Sequence, residues 1–263
     1  GEVESDYAMI SVFGRLNYAY KNRYLFEANR RRDASSRFSP DNRWGNFPSF
    51  SVGWRVSEEP FFESARKYID NLKIRASWGQ LGNTTSGYYD WQATYAKAHY
   101  AFDGSISDGM AISKMANALL QWESVTSKGV GFDLSFLRSR LNIEVDYYDK
   151  LTKGILTSPS IYLTMGTAKA PTKNTSDMRN RGLELTASWN DKIGDLRYSV
   201  SGNFAYNKNK IVKYLGKLDQ GWKDKDGNRV YESNLGQVSE ENSSKTALRI
   251  EDHMFDEYYL RSY

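Results

Sequence analysis

The side chains that could do covalent or metal chemistry are few and scattered. His99 and His253 lie far apart in loop-like sequence, and two unsupported imidazoles fall short of the ligand set a metal needs. Asp224-Lys225-Asp226-Gly227-Asn228 opens like a calcium loop. Its glycine stands at the fourth place instead of the sixth, and Leu235 stands where the closing glutamate belongs. A tight Asp-Gly turn in a hairpin accounts for that run. Glu144, Asp146 and Glu184 share a polar face, but with no histidine beside them they do not make an acid–base pair. No phosphate loop, Ser-His-Asp set or nucleotide fingerprint occurs. The absence of cysteine excludes disulfides, thiolate metal sites and cysteine nucleophiles. No enzymatic activity and no cofactor are expected.

Binding chemistry is better represented. Trp91, Tyr95 and Tyr100 lie in one long segment with Tyr88 and Tyr89, and Trp222 lies in another. Flat rings stack on sugar faces or grip peptide side chains at low entropy cost. Packing of the loop itself ranks first as their role, contact with a partner second and ligand contact third. The basic run Arg30-Arg31-Arg32-Asp33 is of a kind that meets lipid phosphates, although a solvated strand end is the plainer reading.

These residues must be positioned by something large. The chain has 263 residues, 40% hydrophobic and 26% charged, which is enough to bury a core and unlike a disordered chain. No stretch approaches the roughly 20 apolar residues of a membrane helix. The net charge of +4 shows no concentrated basic face, so nucleic acid is not an expected partner. Gly1-Glu2-Val3-Glu4 has no signal-peptide pattern, so the chain reads as cytosolic or as a piece of something longer.

Period-two alternation runs through almost the whole chain. Leu16, Tyr18 and Tyr20 alternate with Arg15, Asn17 and Ala19; after Lys21-Asn22-Arg23, Tyr24 and Phe26 resume the pattern. Val52 and Trp54, Ile74, Phe132 and Leu134, Ile143 and Val145, Leu185 and Trp189, and Tyr198 and Val200 each belong to an apolar row opposed by Arg, Lys, Glu, Asp, Asn, Ser or Thr. Turns are expected at Arg138-Ser139-Arg140 and across Asn190–Asp195. Short helices are expected within Ser57–Asn71, where Phe62, Ala65, Tyr68 and Ile69 follow a 3-4 spacing, and more weakly over Met110–Leu120. The fold class is therefore all-β, with about eight to ten long antiparallel strands.

A soluble sandwich and an outer-membrane barrel both produce this alternation. Connection lengths help to separate them. Breaks after Tyr20, Leu137 and Trp189 are short, and those after Asp33, Gly82, Leu151 and Asn207 are long. Short turns on one side and long loops on the other suit an up-and-down transmembrane barrel. With short turns inside, Gly82–Gln121 is one outside excursion without spanning strands. Tyr20, Tyr24, Trp54, Trp189 and Tyr198 then collect near the inner strand ends as an aromatic girdle. On that reading Leu16, Tyr18, Phe26, Val52, Trp54, Ile74, Phe132, Leu134, Ile143, Val145, Leu185, Trp189, Tyr198 and Val200 face lipid.

Longer runs carry a family resemblance. Lys21-Asn22-Arg23-Tyr24-Leu25-Phe26-Glu27-Ala28, Trp44-Gly45-Asn46-Phe47-Pro48-Ser49-Phe50, Asn71-Leu72-Lys73-Ile74-Arg75-Ala76-Ser77-Trp78-Gly79, Trp122-Glu123-Ser124-Val125-Thr126 and Met178-Arg179-Asn180-Arg181-Gly182-Leu183-Glu184-Leu185 resemble the SusC/RagA family of TonB-linked outer-membrane receptors of Bacteroidetes. The resemblance implies a plugged barrel that imports glycans or oligopeptides, capped by a SusD-like lipoprotein and energised by the TonB system through the plug. It also implies that residues 1–263 are carboxy-proximal strands of a single barrel domain, with plug and amino-terminal domains absent. A soluble β-rich glycan-binding or adhesin domain is the alternative.

Overall fold

The computed structural model describes residues 6–158 and 168–214, and beyond them 221–225, 228–232, 246–248, 252–254 and 257–259. The strands in chain order are β1 (Met9–Tyr20), β2 (Tyr24–Ser35), β3 (Trp44–Arg55), β4 (Ile69–Asn83), β5 (Thr94–Phe102), β6 (Ser105–Lys114), β7 (Glu123–Phe136), β8 (Leu141–Thr157), β9 (Lys173–Ile193) and β10 (Leu196–Tyr214). Shorter ones follow at β11 (Gly221–Lys225), β12 (Asn228–Glu232), β13 (Thr246–Leu248) and β14 (Glu257–Tyr259). Eight strands form one sheet in the order β1-β2-β3-β4-β7-β8-β9-β10, and every pair is antiparallel. β4 pairs directly with β7, so the expectation that Gly82–Gln121 contributes no spanning strand holds. The hairpin β5–β6 stands in that excursion as its own two-stranded sheet.

The short connections are made by left-handed turns. Lys21 and Asn22 take φ of 48° and 56°, the handedness that matches the twist of a hairpin. The break expected across Asn190–Asp195 contracts to Gly194-Asp195, because β9 runs on to Ile193; Gly194 supplies the positive φ of 60° that a side chain would strain. Both helix expectations fail. Residues 56–67 form three separate 3₁₀ turns, with Phe62 buried and Tyr68 70% exposed. The 3-4 row does not share one buried face, so no packing holds a continuous helix together. Met110 to Lys114 belongs to β6, and Leu120 lies buried beyond its end.

The register defines two faces. Residues directly opposed across antiparallel strands project to the same side. One row runs Tyr20, Tyr24, Trp54, Ile74, Phe132, Val145, Leu185, Phe204 from β1 to β10. All fourteen positions expected to face lipid lie on that same side by register and alternation. Large side chains there remain open, with Leu16 61%, Val200 63% and Phe204 58% exposed. No second layer covers them among the described residues, as a soluble sandwich requires. The buried apolar side chains cluster at the strand ends instead. Phe38, Phe47, Leu120, Ala34 and Ile211 gather at one end, and Val56 and Phe62 at the other.

The stagger of that row fixes a tilt. At β1 and β2 it begins on the residues flanking the turn, Tyr20 and Tyr24; at β9 and β10 it passes through Leu185 and Phe204, well up from the turn that follows Ile193. The slip is about eight residues over about seven strand steps, roughly 26 Å along the chain against roughly 34 Å across it. Strands related in this way incline about 38° to a common axis, inside the range of about 35–45° found in outer-membrane barrels.

Candidate functional site

The polar face carries a ladder of charges held by cross-strand neighbours. Arg15 Nη2 lies 2.7 Å from Glu27 Oε2, and Asn29 donates to the other Glu27 oxygen at 2.7 Å. Further across, Arg75 is shared: Nε donates to Asp133 at 2.8 Å and Nη2 to Asp146 at 3.0 Å. Lys73 adds a longer contact to Asp133 at 3.6 Å. Gly131 sits between Arg75 and Asp146 in register, and a Cβ there would collide with Asp146 Oδ1. The missing side chain is what lets guanidinium and carboxylate meet across three strands. Around these groups the surface offers alternating donors and acceptors, with Leu25 and Ala19 among them. It suits a wet wall against which polar solutes pass.

At the short-turn end Tyr24 and Trp54 have a polar anchor that alternation does not reveal. Glu59, in the connection between β3 and β4, is buried. It accepts from Tyr24 Oη at 2.5 Å and from Trp54 Nε1 at 3.1 Å, and Arg23 lies 3.4 Å away. The polar tips of both rings are thus tied to one buried carboxylate, while their bodies stay open on the apolar face, Tyr24 at 46% and Trp54 at 37% exposed. The Tyr24 hydroxyl first, then the Trp54 indole, holds the Glu59 carboxyl below its ordinary value. A depressed carboxyl contributes stability that is present above its unfolded value, about 4.3, and lost as pH falls through the folded one. Wild-type barrel is therefore expected to lose thermal stability more steeply between about pH 5 and pH 3 than a Glu59→Gln variant. Melting temperatures across that range measure it; parallel curves would refute the anchor.

At the opposite end, loops pack into a small core. The Phe38 ring lies 5.2 Å from Trp122, and Phe47 meets Trp122 edge-on at 5.4 Å. Trp122 Nε1 donates to the Arg43 carbonyl at 3.0 Å. Beside it the buried Glu123 accepts from Asn83 at 3.0 Å, Thr85 at 2.9 Å and the Leu156 amide at 2.7 Å, tying β4, β7 and β8 together. Glu123→Ala leaves those donors unpaired and is expected to destabilise this end by about 1–3 kcal/mol. Faster amide exchange at Leu156 than at mid-strand amides is the readout. Asp90 plays a similar part in the excursion. Burial opposes its charge, but Lys114, the Gly87 amide and Thr172 outweigh that and hold its carboxyl below the usual range.

The aromatic residues singled out as ligand contacts do not converge. Trp91 is half-buried at the foot of the excursion, and its backbone carbonyl accepts from the Asn117 amide at 3.2 Å. Tyr95 and Tyr100 are both exposed, but their odd spacing on β5 puts them on opposite faces of that hairpin. Trp222 lies in β11, with its side chain outside the described residues. His99 pairs with Asp108 at 2.7 Å on the same exposed hairpin. Sequence reasoning did not single out Glu59 as an anchor or Glu123 as a tie. Glu123 stands beside Trp122 in a recognisable run, whereas nothing in the sequence marks Glu59.

Comparison with known proteins sets this wall in a longer molecule. Residues 3–244 match the family described as TonB dependent receptor-like, beta-barrel. The chain is 33% identical over 238 residues to TonB-dependent receptor SusC of Bacteroides thetaiotaomicron, covering 88% of the chain and 23% of that receptor. It is 35% identical over 214 residues to a TonB-dependent receptor of Formosa agariphila, covering 81% and 20%. The RagAB peptide importer in its open-open state superposes with a TM-score of 0.73 at 27% identity, over 86% of this chain and 24% of that one. The chain thus spans less than a quarter of the length of these relatives.

Proposed function

Given that the chain belongs to the TonB-dependent receptor-like β-barrel family of the outer membrane, we propose that it is a sector of the wall of a nutrient importer. The cargo is bulky and polar, a glycan or an oligopeptide. The apolar face meets lipid and the charged ladder lines the lumen. Residues 1–263 belong to one barrel domain; a plug domain couples it to the TonB system, and a SusD-like lipoprotein covers the outer mouth. The exposed aromatics Tyr95 and Tyr100, with Trp91 and Trp222, stand on the outer side, where they contact that lid or the cargo. The observation that carries this reading is the single-layered sheet with one open apolar face and strands inclined at about 38°, the geometry of a barrel wall. Likeness to a peptide importer and to SusC supports transport of large solutes.

The reading is tested in cells lacking the complete receptor. Loss of growth on one class of oligosaccharide or peptide, restored by the full gene and abolished by dissipating the proton gradient, is the expected result. Uptake that survives deletion of the receptor across all such substrates would refute it. The sector expressed by itself should restore nothing.

A further inference from the structure

The polar face is not equally engaged at all heights. Low on the wall the charges hold one another, Arg15 with Glu27 and Arg75 with Asp133 and Asp146. Higher up, one register row of the same face reads Gly129, Tyr148, Gly182, Asn207. Tyr148 thus stands between two glycines, and it leans on one of them: a Cβ on Gly182 would collide with the far end of the ring. Gly182 is buried beneath it, while Tyr148 itself is half-buried. Beside residues with side chains, a tyrosine stands out from a sheet. Here the missing Cβ lets the ring lie down across β9, with its upper face open to the lumen.

Polar side chains surround the ring. The row above it reads Ser127, Lys150, Asn180, and Glu184 stands in the row below. Lys150, Glu184 and Asn207 are exposed. Among the described residues, neither these side chains nor the Tyr148 hydroxyl takes a hydrogen bond or ion pair, in contrast to the ladder beneath. With the stagger above, Tyr148 lies about 23 Å above the short turns, near the upper edge of a band about 25 Å tall. Solutes arriving from outside meet this level of the lumen before they reach the charged ladder.

We propose that Tyr148 is a stacking platform for one pyranose ring of an oligosaccharide cargo. One face of a pyranose is a patch of C–H groups that covers an aromatic ring, and its hydroxyls project around the edge. Asn180, Glu184 and Asn207 stand where that edge falls. An amide offers both donors and an acceptor, and a carboxylate offers two acceptors, the complement of neighbouring hydroxyls. An extended peptide is held by other means, an unpaired strand edge or pockets for alternate side chains. Both edges of β8 and of β9 are already paired at this level. The inference deepens the importer reading and rests on it, with the polar face as the lumen face. The Ile143→Arg and Glu144→Arg yields test that assignment without touching Tyr148.

The experiment uses the full receptor purified in detergent. Its probes are neutral gluco-, manno- and xylohexaose, with a pool of mixed hexapeptides beside them, and binding is read by calorimetry. Wild-type receptor is expected to bind at least one of the hexasaccharides. Tyr148→Ala, checked for a heat-modifiable barrel, should weaken that binding about five- to tenfold. Tyr148→Phe keeps the ring and should stay within about twofold of wild type. Asn207→Ala removes an exposed side chain and should weaken binding about threefold or more. Failure of wild type to bind any hexasaccharide would overturn the proposal, as would an affinity that Tyr148→Ala leaves unchanged. A loss as large for Tyr148→Phe as for Tyr148→Ala would assign the effect to the hydroxyl and overturn the platform too. If Tyr148→Ala does not assemble, unchanged affinity in Asn207→Ala is the overturning result. Binding of the peptides alone, with growth on peptides restored by the full gene, would refute the platform and leave the importer reading standing.

Discussion

Ile143→Arg in the full receptor should sharply reduce the yield of assembled barrel, while Glu144→Arg at the next residue should leave it nearly unchanged. Ile143 lies between Leu134 and Ala187 in register, on the apolar face. The strand stagger places it about 10 Å above the short turns, close to the middle of an apolar band of about 25 Å. A guanidinium at that depth on a lipid-facing barrel surface costs about 2–4 kcal/mol. Glu144 opposes Asp133 on the other face, where Arg75 and Lys73 already gather around that carboxylate. A new arginine there remains wet and joins an existing charge ladder. Heat-modifiable barrel measured for both variants gives the answer. Equal yields, or a worse result for Glu144→Arg, would reverse the two faces.

Phe38→Ala should open the outer loops and spare the wall. Phe38 is fully buried although no strand contains it, and its ring packs on Trp122 at 5.2 Å. Removing a buried phenyl ring costs about 3–5 kcal/mol when the cavity cannot collapse. Collapse is hindered because Trp122 is held from two further sides, by Phe47 and by the Arg43 carbonyl. The loss falls on a local unit, so limited proteolysis should cut within 36–43, 84–93 and 115–122 while the strands stay protected. Unchanged cleavage in these segments would mean that the aromatic cluster does not hold the loops.

The alternation of residues made the spanning part of the sheet readable. Rows such as Ile143, Val145 and Tyr147 announce both a strand and the side it shows. The same rule explains what was missed. β8 continues to Thr157, β9 starts at Lys173 and β10 reaches Tyr214, well beyond the last clear alternation. About 9–11 inclined residues cross a bilayer; above that level both faces are wet, and no selection separates polar from apolar positions. The expected long breaks after Leu151 and Asn207 were therefore partly strand. The hairpin β5–β6 escaped for a similar reason, since Lys97, His99 and Asp108 on it are polar and exposed. Its turn at Asp103-Gly104 was nonetheless a hairpin signal. Glu123 lies in a recognisable run and Glu59 in none, but neither shows its role in the sequence, because a carboxylate becomes an anchor only when distant donors are brought to it.

The order of the sheet bears on how the wall is made. Each of the eight strands lies beside the spanning strands nearest to it in sequence, so pairing proceeds between near neighbours and each closure crosses a short loop or one excursion. Chains wired in this way form their contacts early, because little loop entropy opposes each new pair. A growing sheet of this kind can enter a bilayer hairpin by hairpin, each new strand finding its template already in place. Insertions in the outer excursions, such as the one bearing β5 and β6, then lengthen the loops without delaying the zipper. The outer surface is thereby free to diversify while the order in which strands pair stays the same.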